Sequence, residues 1–494
     1  MIFIKNDYLK WSLSGTLMGL GFVSPNLWFL GFFGAGLFFH LVLTKKLNRH
    51  FIIGSVSAFT IKYLFATSIF WSVYPINFLP LELGKVQLFI IFIYWFTSSL
   101  WLGFGASVFI LARSIWDKFF SNQDNKLLWP IIALLWVGAE ILGSLIFSLM
   151  MIGEGGFLNT SYSLGYSGYL LAEHEILLQF GKVAGVYGLS FTFVFLAGLG
   201  YFLVKTRRTK LVTALLFLLL ISCSWSLKEK VVTSNEDVIE VVVIDTNFDS
   251  RSSESNGDKF MQRQALLEGV SAALESNPDY LLLPEDARFF LDEPNKNSFK
   301  TKYGDLTTII IDSRTVTNDG GFNLEAYVYD AKNNNSIKIA KRYLVPQGEY
   351  VPVIYSNLFK LLGPAALVEY IEESINYVVG DYTSQKKLPD DTPAILFCFE
   401  SVDPLGVRKL MRDHPKAPFI THPVSHAWFN QSEILWHQLD NMLKVQALWN
   451  DQYIISASNQ GRSQVYTPEG NILDMEEMAT GENWSVKRAV ISTH

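Results

Sequence analysis

The sequence predicts a multi-span α-helical membrane domain followed by a layered α/β domain, and three observations carry that expectation. Half of the 494 residues are hydrophobic and 17% are charged, with a mean hydropathy of +0.23. That is too apolar for one ordinary soluble domain and too charged for a helical membrane bundle alone. The charge is also segregated: 15 Lys and Arg stand against 8 Asp and Glu up to Leu227 (net +7), and 25 against 38 beyond it (net −13). The pattern changes at the same place, from long apolar runs to short β-rich runs alternating with helical stretches. The expected division is a transmembrane domain over residues 1–227 and a water-facing domain over 228–494, whose acidity argues against nucleic acid as a ligand.

Crossing a hydrocarbon core of roughly 30 Å takes about 20 apolar residues in a helix. Seven runs qualify as candidates: 11–24, 26–44, 51–73, 86–112, 128–150, 183–204 and 211–227. The first two are short and meet at Pro25, and the first lacks a small-residue cleavage site, so it reads as a retained span. Basic residues of short loops stay in the cytoplasm. With the first ten residues inside, the inner segments hold twelve Lys and Arg, and the outer ones only Lys85 and Lys182. Seven crossings then put everything after Leu227 outside, in the periplasm of a double-membraned bacterium. Lys62 and Glu140 fall within spans, where an ionisable group is costly and marks function or a partner. For each, facing a neighbouring helix is the alternative; Lys62 also has the option of snorkelling. The Gly- and Tyr-rich segment 151–182 is expected to pack beneath the outer domain.

Beyond Val238 the strands are read at "VIEVVVID", "YLLLPED", "TTIIIDS", "EAYVYD", "IKIAKR", "AILFCFE", "APFITHPV", "YIISAS" and "SQVYTPEG", with helices at "KFMQRQALLEGVSAALES" and "SEILWHQLDNMLKVQALW". Mixed strands and helices over this length fit one layered α/β domain. Cys223 lies in the apolar run before Leu227 and Cys398 is the only thiol after it, so no disulfide framework stabilises the outer domain.

Three residues there follow or end apolar runs: Glu285 in "LLLPEDA", Lys341 in "KIAKRYLVPQGEYVP" and Cys398 in "ILFCFE". A carboxylate, an ammonium and a thiol are the parts of acyl transfer through a thioester. A free thiol with pKa about 8.5 is mostly protonated at neutral pH and needs a base or a cation beside it. Glu285 can take the proton, and Lys341 can stabilise the thiolate and then an oxyanion. The alternative for Cys398 is a small buried hydrophobe in a core strand. His422, His426 and His437 match no zinc spacing and read as loop or helix-surface histidines, so no metal is expected.

"LLLPEDA", "LVPQGEYVP" and "CFE" stand in the order and contexts of the nitrilase superfamily, which implies an α-β-β-α sandwich. With the membrane half included, the chain resembles the bacterial apolipoprotein N-acyltransferases over nearly its whole length. "SGTLMGLGFVSPNLW" is similar to that family's opening hairpin, "LLWVGAEIL" to its Trp-and-Glu span, "GKVAGVYGLSF" to the start of its sixth span, and "SHAWFN" to its N-D-A-W-F-G. The resemblance implies Glu285 as general base, Lys341 as oxyanion stabiliser and Cys398 as nucleophile. It implies supporting roles for Glu349 and Glu400, a lipid-facing rim at Trp428 and Phe429, and no metal or organic cofactor. It further implies a phospholipid acyl donor, a diacylated apolipoprotein acceptor, and a catalytic domain on the periplasmic face of the inner membrane. The stretch 355–380 is expected as a lid or membrane-dipping arm, or as a helix packed on the sandwich.

Several positions depart from that pattern. Ser425 and His426 replace Asn and Asp before A-W-F; Gln446 and Trp449 replace Arg and Glu of an R-A-L-E helix; Phe399 replaces a tyrosine and Gly143 an arginine. The family's tryptophan in the first outer loop has no counterpart in "DTNFDSRSSESNGDKF", and the polar "ENWSVKRAVISTH" stands where a further span is implied. Two other functions therefore stay open at the level of sequence: a membrane-tethered amidase that hydrolyses its thioester, and a lipid- or lipoprotein-binding protein without turnover.

Overall fold

The structure, a computed structural model, describes residues 6–76, 84–119, 128–156, 158–205, 237–249, 256–290, 299–303, 306–318, 320–362, 365–381, 386 and 388–493. The first part is helical: α1 (Asp7–Val23), α2 (Leu30–Thr44), α3 (Arg49–Ala66), α4 (Val86–Gly103), α5 (Ser107–Phe119), α6 (Leu128–Met150) and α7 (Gly181–Lys205). Among the described residues, four helical segments are long and apolar enough to span a membrane: Arg49–Val73, Val86–Trp116, Pro130–Met150 and Gly181–Lys205. The runs read at 11–24 and 26–44 form helices of 17 and 15 residues. At about 1.5 Å per residue these reach less far than the hydrocarbon core is thick. The run at 211–227 and the expected division at 227/228 lie outside the described residues. The chain is a multi-pass integral membrane protein.

Small residues let these helices close. A Cβ on Gly15 of α1 would lie 2.3 Å from the Ala58 carbonyl of α3, and one on Gly143 of α6 would lie 2.5 Å from the Leu102 carbonyl of α4. The second contact explains why no arginine stands at 143. Aromatic rings fill the interior, with Phe38 edge-on to Trp11, Phe109 and Trp136. Lys62 and Glu140 face each other across α3 and α6, Nζ to Oε1 2.8 Å, both fully buried. The same Oε1 accepts from the Ser167 N–H at 2.7 Å and from the Trp136 indole at 3.1 Å. Facing a neighbouring helix is therefore the arrangement found, and the Lys62 side chain does not snorkel.

Among the described residues, the second part contains twelve strands: β1 (Asp237–Thr246), β2 (Tyr280–Leu282), β3 (Ile309–Asn318), β4 (Gly321–Asp330), β5 (Asn335–Ala340), β6 (Ala394–Ile395), β7 (Ile420–Ser425), β8 (Ile454–Asn459), β9 (Val465–Tyr466), β10 (Ile472–Leu473), β11 (Glu476–Gly481) and β12 (Trp484–Thr493). One half runs β11-β12-β1-β2-β3-β4-β5 and the other β6-β7-β8-β9-β10, and the described strands of the two join at Thr246 and Asn459. Alternate residues of β1 separate the layers. Val241 and Val243 face Ile395, Phe397, Ile455 and Ala457 of the other half. Val242 and Ile244 face Leu266 and Val270 of the helix α8 (Asn256–Ala273). On the opposite outer face, Leu396, Ile420 and Ile454 pack on α11 (Pro404–Asp413) and α12 (Glu433–Asn450) through Val407, Leu410 and Leu443. Between them in sequence come α9 (Val353–Leu362) and α10 (Ala365–Ser374). Three cores in series make an α-β-β-α sandwich, the layering the resemblance implied.

The polar end of the chain is a full strand, not a tail. β12 pairs antiparallel with all of β1, from Thr493 opposite Asp237 to Trp484 opposite Thr246, and its Val486, Ala489 and Ile491 are buried. The run "AILFCFE" is a strand only at Ala394–Ile395, and Cys398 opens a 3-10 turn over Cys398–Val402.

The two parts are fastened through the segment 151–182, which packs under the sandwich as expected. Ser163 donates N–H and hydroxyl to the Val402 carbonyl, each at 2.8 Å. Asn159 and Ser161 both bond Asp403, and Tyr350 donates to the Met151 carbonyl at 2.8 Å. Above α1 and α3, the Gln438 amide of α12 reaches the Phe22 and Ala66 carbonyls. Tyr355 of α9 meets Thr97 of α4 at 2.6 Å, so this part of 355–380 packs on the helical part, while Leu361 is 82% exposed.

Candidate active site

Glu285, Lys341 and Cys398 come from three different connections at the end of the sheet and meet in the wall of one cavity of about 430 Å³. Glu285 follows β2, Lys341 follows β5, and Cys398 follows β6. Each strand ends, and the next residues turn toward the helical part. Lys341 is 1% exposed and its Nζ lies 3.1 Å from Glu285 Oε1 and 2.6 Å from Glu349 Oε1. Glu349 is itself fixed, accepting from the Val345 N–H at 2.8 Å in the turn where Gln347 adopts φ +72°. A buried lysine between two carboxylates is compensated in the way burial of charge demands.

Glu400 does not touch Lys341. Its Oε1 accepts from the Arg342 N–H at 2.8 Å and its Oε2 from the Phe397 N–H at 3.0 Å, with the Arg342 Nε 3.6 Å from Oε1. One buried carboxylate thus ties the backbone after Lys341 to the backbone before Cys398. The backbone N–H of Ser425 donates to Glu285 Oε2 at 3.3 Å and acts to lower the pKa of the nearby Cys398 thiol. That amide lies between base and thiol, and sequence reasoning missed it because every non-proline residue carries one.

The electrostatics follow from burial. Desolvation pushes the Glu285 carboxyl up to about 7; Lys341 opposes that shift and Glu349 adds to it. Burial alone would lower the Lys341 ammonium, but Glu285 and Glu349 outweigh it and hold it well above its ordinary range. Burial and the Glu285 charge raise the Cys398 thiol far above an ordinary cysteine, with Lys341 opposing. At neutral pH the sulfur is protonated, the lysine charged, and the glutamate close to half ionised. The arrangement is a protonated thiol beside a base poised near neutral pH.

Both parts of the protein line the cavity. Ile69, Phe70, Phe147 and Leu164 come from the helical part; Trp428, Phe429, Leu435 and Met442 come from the sandwich. Trp428 and Phe429 sit in the 3-10 turn Ala427–Phe429, half-buried. Asn430 beside them donates to the Ser72 and Tyr74 carbonyls. Phe399 also lines the cavity, its ring 5.9 Å from that of Tyr162.

Two of the three histidines are not surface groups. His422 lies on β7 between β6 and β8, fully buried, with Nε2 3.1 Å from the Cys398 carbonyl. His426 is 3% exposed. A central strand covered on both faces hides His422, and His426, just past the end of β7 where the turn Ala427–Phe429 begins, is buried as well, so neither is the loop or surface group expected. His437 contacts Glu173 at 3.1 Å. Among the described residues no group of His, Cys, Asp and Glu is placed to hold a metal ion. Gln446 bonds the Ser401 carbonyl. Trp449 fills the kink of α7, where Gly185 has φ +57° and a Cβ would lie 2.5 Å from its ring.

The class these features define is a multi-pass membrane protein with an α-β-β-α domain that holds a buried thiol, ammonium and carboxylate. Residues 14–199 match the family model of the apolipoprotein N-acyltransferase N-terminal domain. An apolipoprotein N-acyltransferase of Geobacter metallireducens is 25% identical over 501 residues, spanning 95% of this chain and 87% of that protein. One from Rickettsia prowazekii is 24% identical, spanning 74% and 71%. Among solved structures, a CN-hydrolase superfamily protein from Xanthomonas campestris covers 52% of this chain and 91% of its own, with a TM-score of 0.35 and 12% identity. Residues 14–199 are thus similar to the apolipoprotein N-acyltransferase N-terminal domain, and the chain resembles proteins of that name over most of its length.

Proposed function

We propose that this protein is an N-acyltransferase that moves an acyl chain from a phospholipid, through a thioester on Cys398, to the α-amine of a lipoprotein's diacylglyceryl-cysteine. The observation that supports it best is the meeting of Glu285, Lys341 and Cys398 in a cavity whose apolar walls come from both the membrane helices and the sandwich. Each methylene taken from lipid into water costs about 0.8 kcal/mol, and a site walled by Phe70, Phe147 and Met442 spares both substrates that cost. The proposed division remains 1–227 for the membrane domain and 228–494 for a periplasmic catalytic domain at the inner membrane.

Glu285 takes the Cys398 proton as the sulfur attacks the ester carbonyl. Negative charge passes to the carbonyl oxygen, where Lys341, held by Glu349, stabilises it. The C–O bond breaks, and the lysophospholipid alkoxide leaves with the proton from Glu285. The lipoprotein amine then attacks the thioester and gives its proton to Glu285. Collapse breaks the C–S bond, forms the amide and returns the proton to sulfur. Glu400 positions both backbones, and Trp428 and Phe429 form the rim for acyl chains. The test is incubation of the full chain with phospholipid and a diacylglyceryl-cysteine peptide. The expected product by mass spectrometry is triacylated peptide; free fatty acid without acylated peptide refutes the transfer and points to a hydrolase.

A further inference from the structure

His426 follows Ser425 directly and lies in the wall of the same cavity. Its backbone N–H donates to the Asn459 carbonyl and its own carbonyl accepts from the Phe429 N–H, both at 2.9 Å. The ring nitrogen Nδ1 lies 3.1 Å from the Trp436 indole nitrogen. An indole N–H only donates, so Nδ1 is the acceptor and the ring proton sits on Nε2. The Arg462 guanidinium stacks 4.7 Å above the Trp436 ring and steadies it. A Cβ on Gly461 would lie 2.2 Å from Nδ1, so backbone closes over that edge of the imidazole. Burial pushes this histidine down to about 3, which keeps it neutral at working pH. Nε2 is left as a buried donor without a protein partner among the described residues. Buried donors in folded proteins are overwhelmingly matched, and the residue that carries this one borders the cavity.

We propose that the His426 Nε2–H is a substrate-binding group that donates a hydrogen bond to a carbonyl oxygen of the molecule undergoing acyl transfer. This rests on the function proposed above. A neutral donor in a largely apolar wall suits an ester or amide oxygen rather than a phosphate, which draws cations. The carbonyl belongs either to the phospholipid ester or to the first peptide amide of the acceptor.

The two half-reactions distinguish these sources. With full-length protein and phosphatidylethanolamine, the acyl adduct on Cys398 is followed by mass spectrometry, and its loss is then followed after adding diacylglyceryl-cysteine peptide. His426→Phe is expected to slow one of the steps about five- to tenfold, the size of one hydrogen bond. His426→Gln, which keeps an N–H donor, is expected to recover to within about threefold. Slowing of the first step assigns the ester, and slowing of the second assigns the amide. Both steps within about twofold of the unaltered protein in His426→Phe overturn the proposal. Nitrogen-15 histidine NMR of Cys398→Ala tests it without altering His426. The Nε2–H tautomer is expected, with an Nε2 resonance that shifts on adding the phospholipid or the peptide. An Nδ1–H tautomer, or a resonance that neither substrate moves, refutes it. Absence of any adduct in the unaltered protein defeats the proposed function instead, and the NMR measurement still decides the role of His426.

Discussion

Two buried lysines divide this molecule. Lys62, among the membrane helices, is fully buried and pairs with Glu140 at 2.8 Å; Lys341, in the sandwich, is 1% exposed and pairs with Glu285 and Glu349 at 3.1 and 2.6 Å. Both meet the demand that a buried charge be compensated. Around Lys62 the remaining partners are Ser167 and Trp136, which tie α3 and α6 to the segment below the sandwich. Around Lys341 the surroundings include a thiol and a cavity. Burial by itself does not mark a reactive centre; a cavity that admits a substrate beside the buried charge does.

If that distinction holds, Lys341→Met lowers acyl transfer on the order of 10² to 10³-fold, as expected for removal of an oxyanion donor, measured by product formation at equal amounts of folded protein. Lys62→Met should act on stability. Leaving Glu140 buried without its partner costs about 3–5 kcal/mol, read as a lower unfolding midpoint, while turnover per folded molecule stays within about twofold. The double change Lys62→Met with Glu140→Leu should recover most of that loss. Loss of transfer in Lys62→Met without loss of stability would erase the contrast.

A third difference is pH dependence. Glu285, pushed up to about 7 chiefly by burial, acts as a base only when ionised. Thioester formation is therefore expected to rise about tenfold per pH unit below 7 and to level off above it. Because the Glu349 charge raises Glu285, Glu349→Gln should move the midpoint below 7, read from the rate of adduct formation. The smallest effect is expected at Phe399→Tyr: the ring lines the cavity and packs 5.9 Å from Tyr162, and restoring the family's tyrosine should change transfer by less than about threefold. A larger change would give the hydroxyl a role in substrate contact.

Much of this was legible in the residues. Hydropathy located the helices, and alternation located most strands. Glu285, Lys341 and Cys398, separated widely in sequence, are brought together by the sheet. What stayed hidden had physical causes. β12 escaped because Lys487 and Arg488 interrupt the apolar positions Val486, Ala489 and Ile491, so "WSVKRAVIST" reads as polar although it pairs with β1 on one side and β11 on the other. The Ser425 amide has no sequence signal at all. Trp449 looked like a lost acid until its ring was found against the left-handed Gly185 of α7, a contact between residues far apart along the chain. His422 was misjudged because its strand is covered on both sides.

The pairing of β12 with β1 also sets an order of events. β1 is the first of the described strands, and the partner that covers one whole edge of it, β12, is made after all the others. Until that partner arrives, β1 offers an open edge, and Cys398 has already been synthesised. Closure of that edge therefore waits on β12, so a ribosome that stalls between Cys398 and Trp484 leaves a chain bearing the Cys398 thiol without the strand that covers β1.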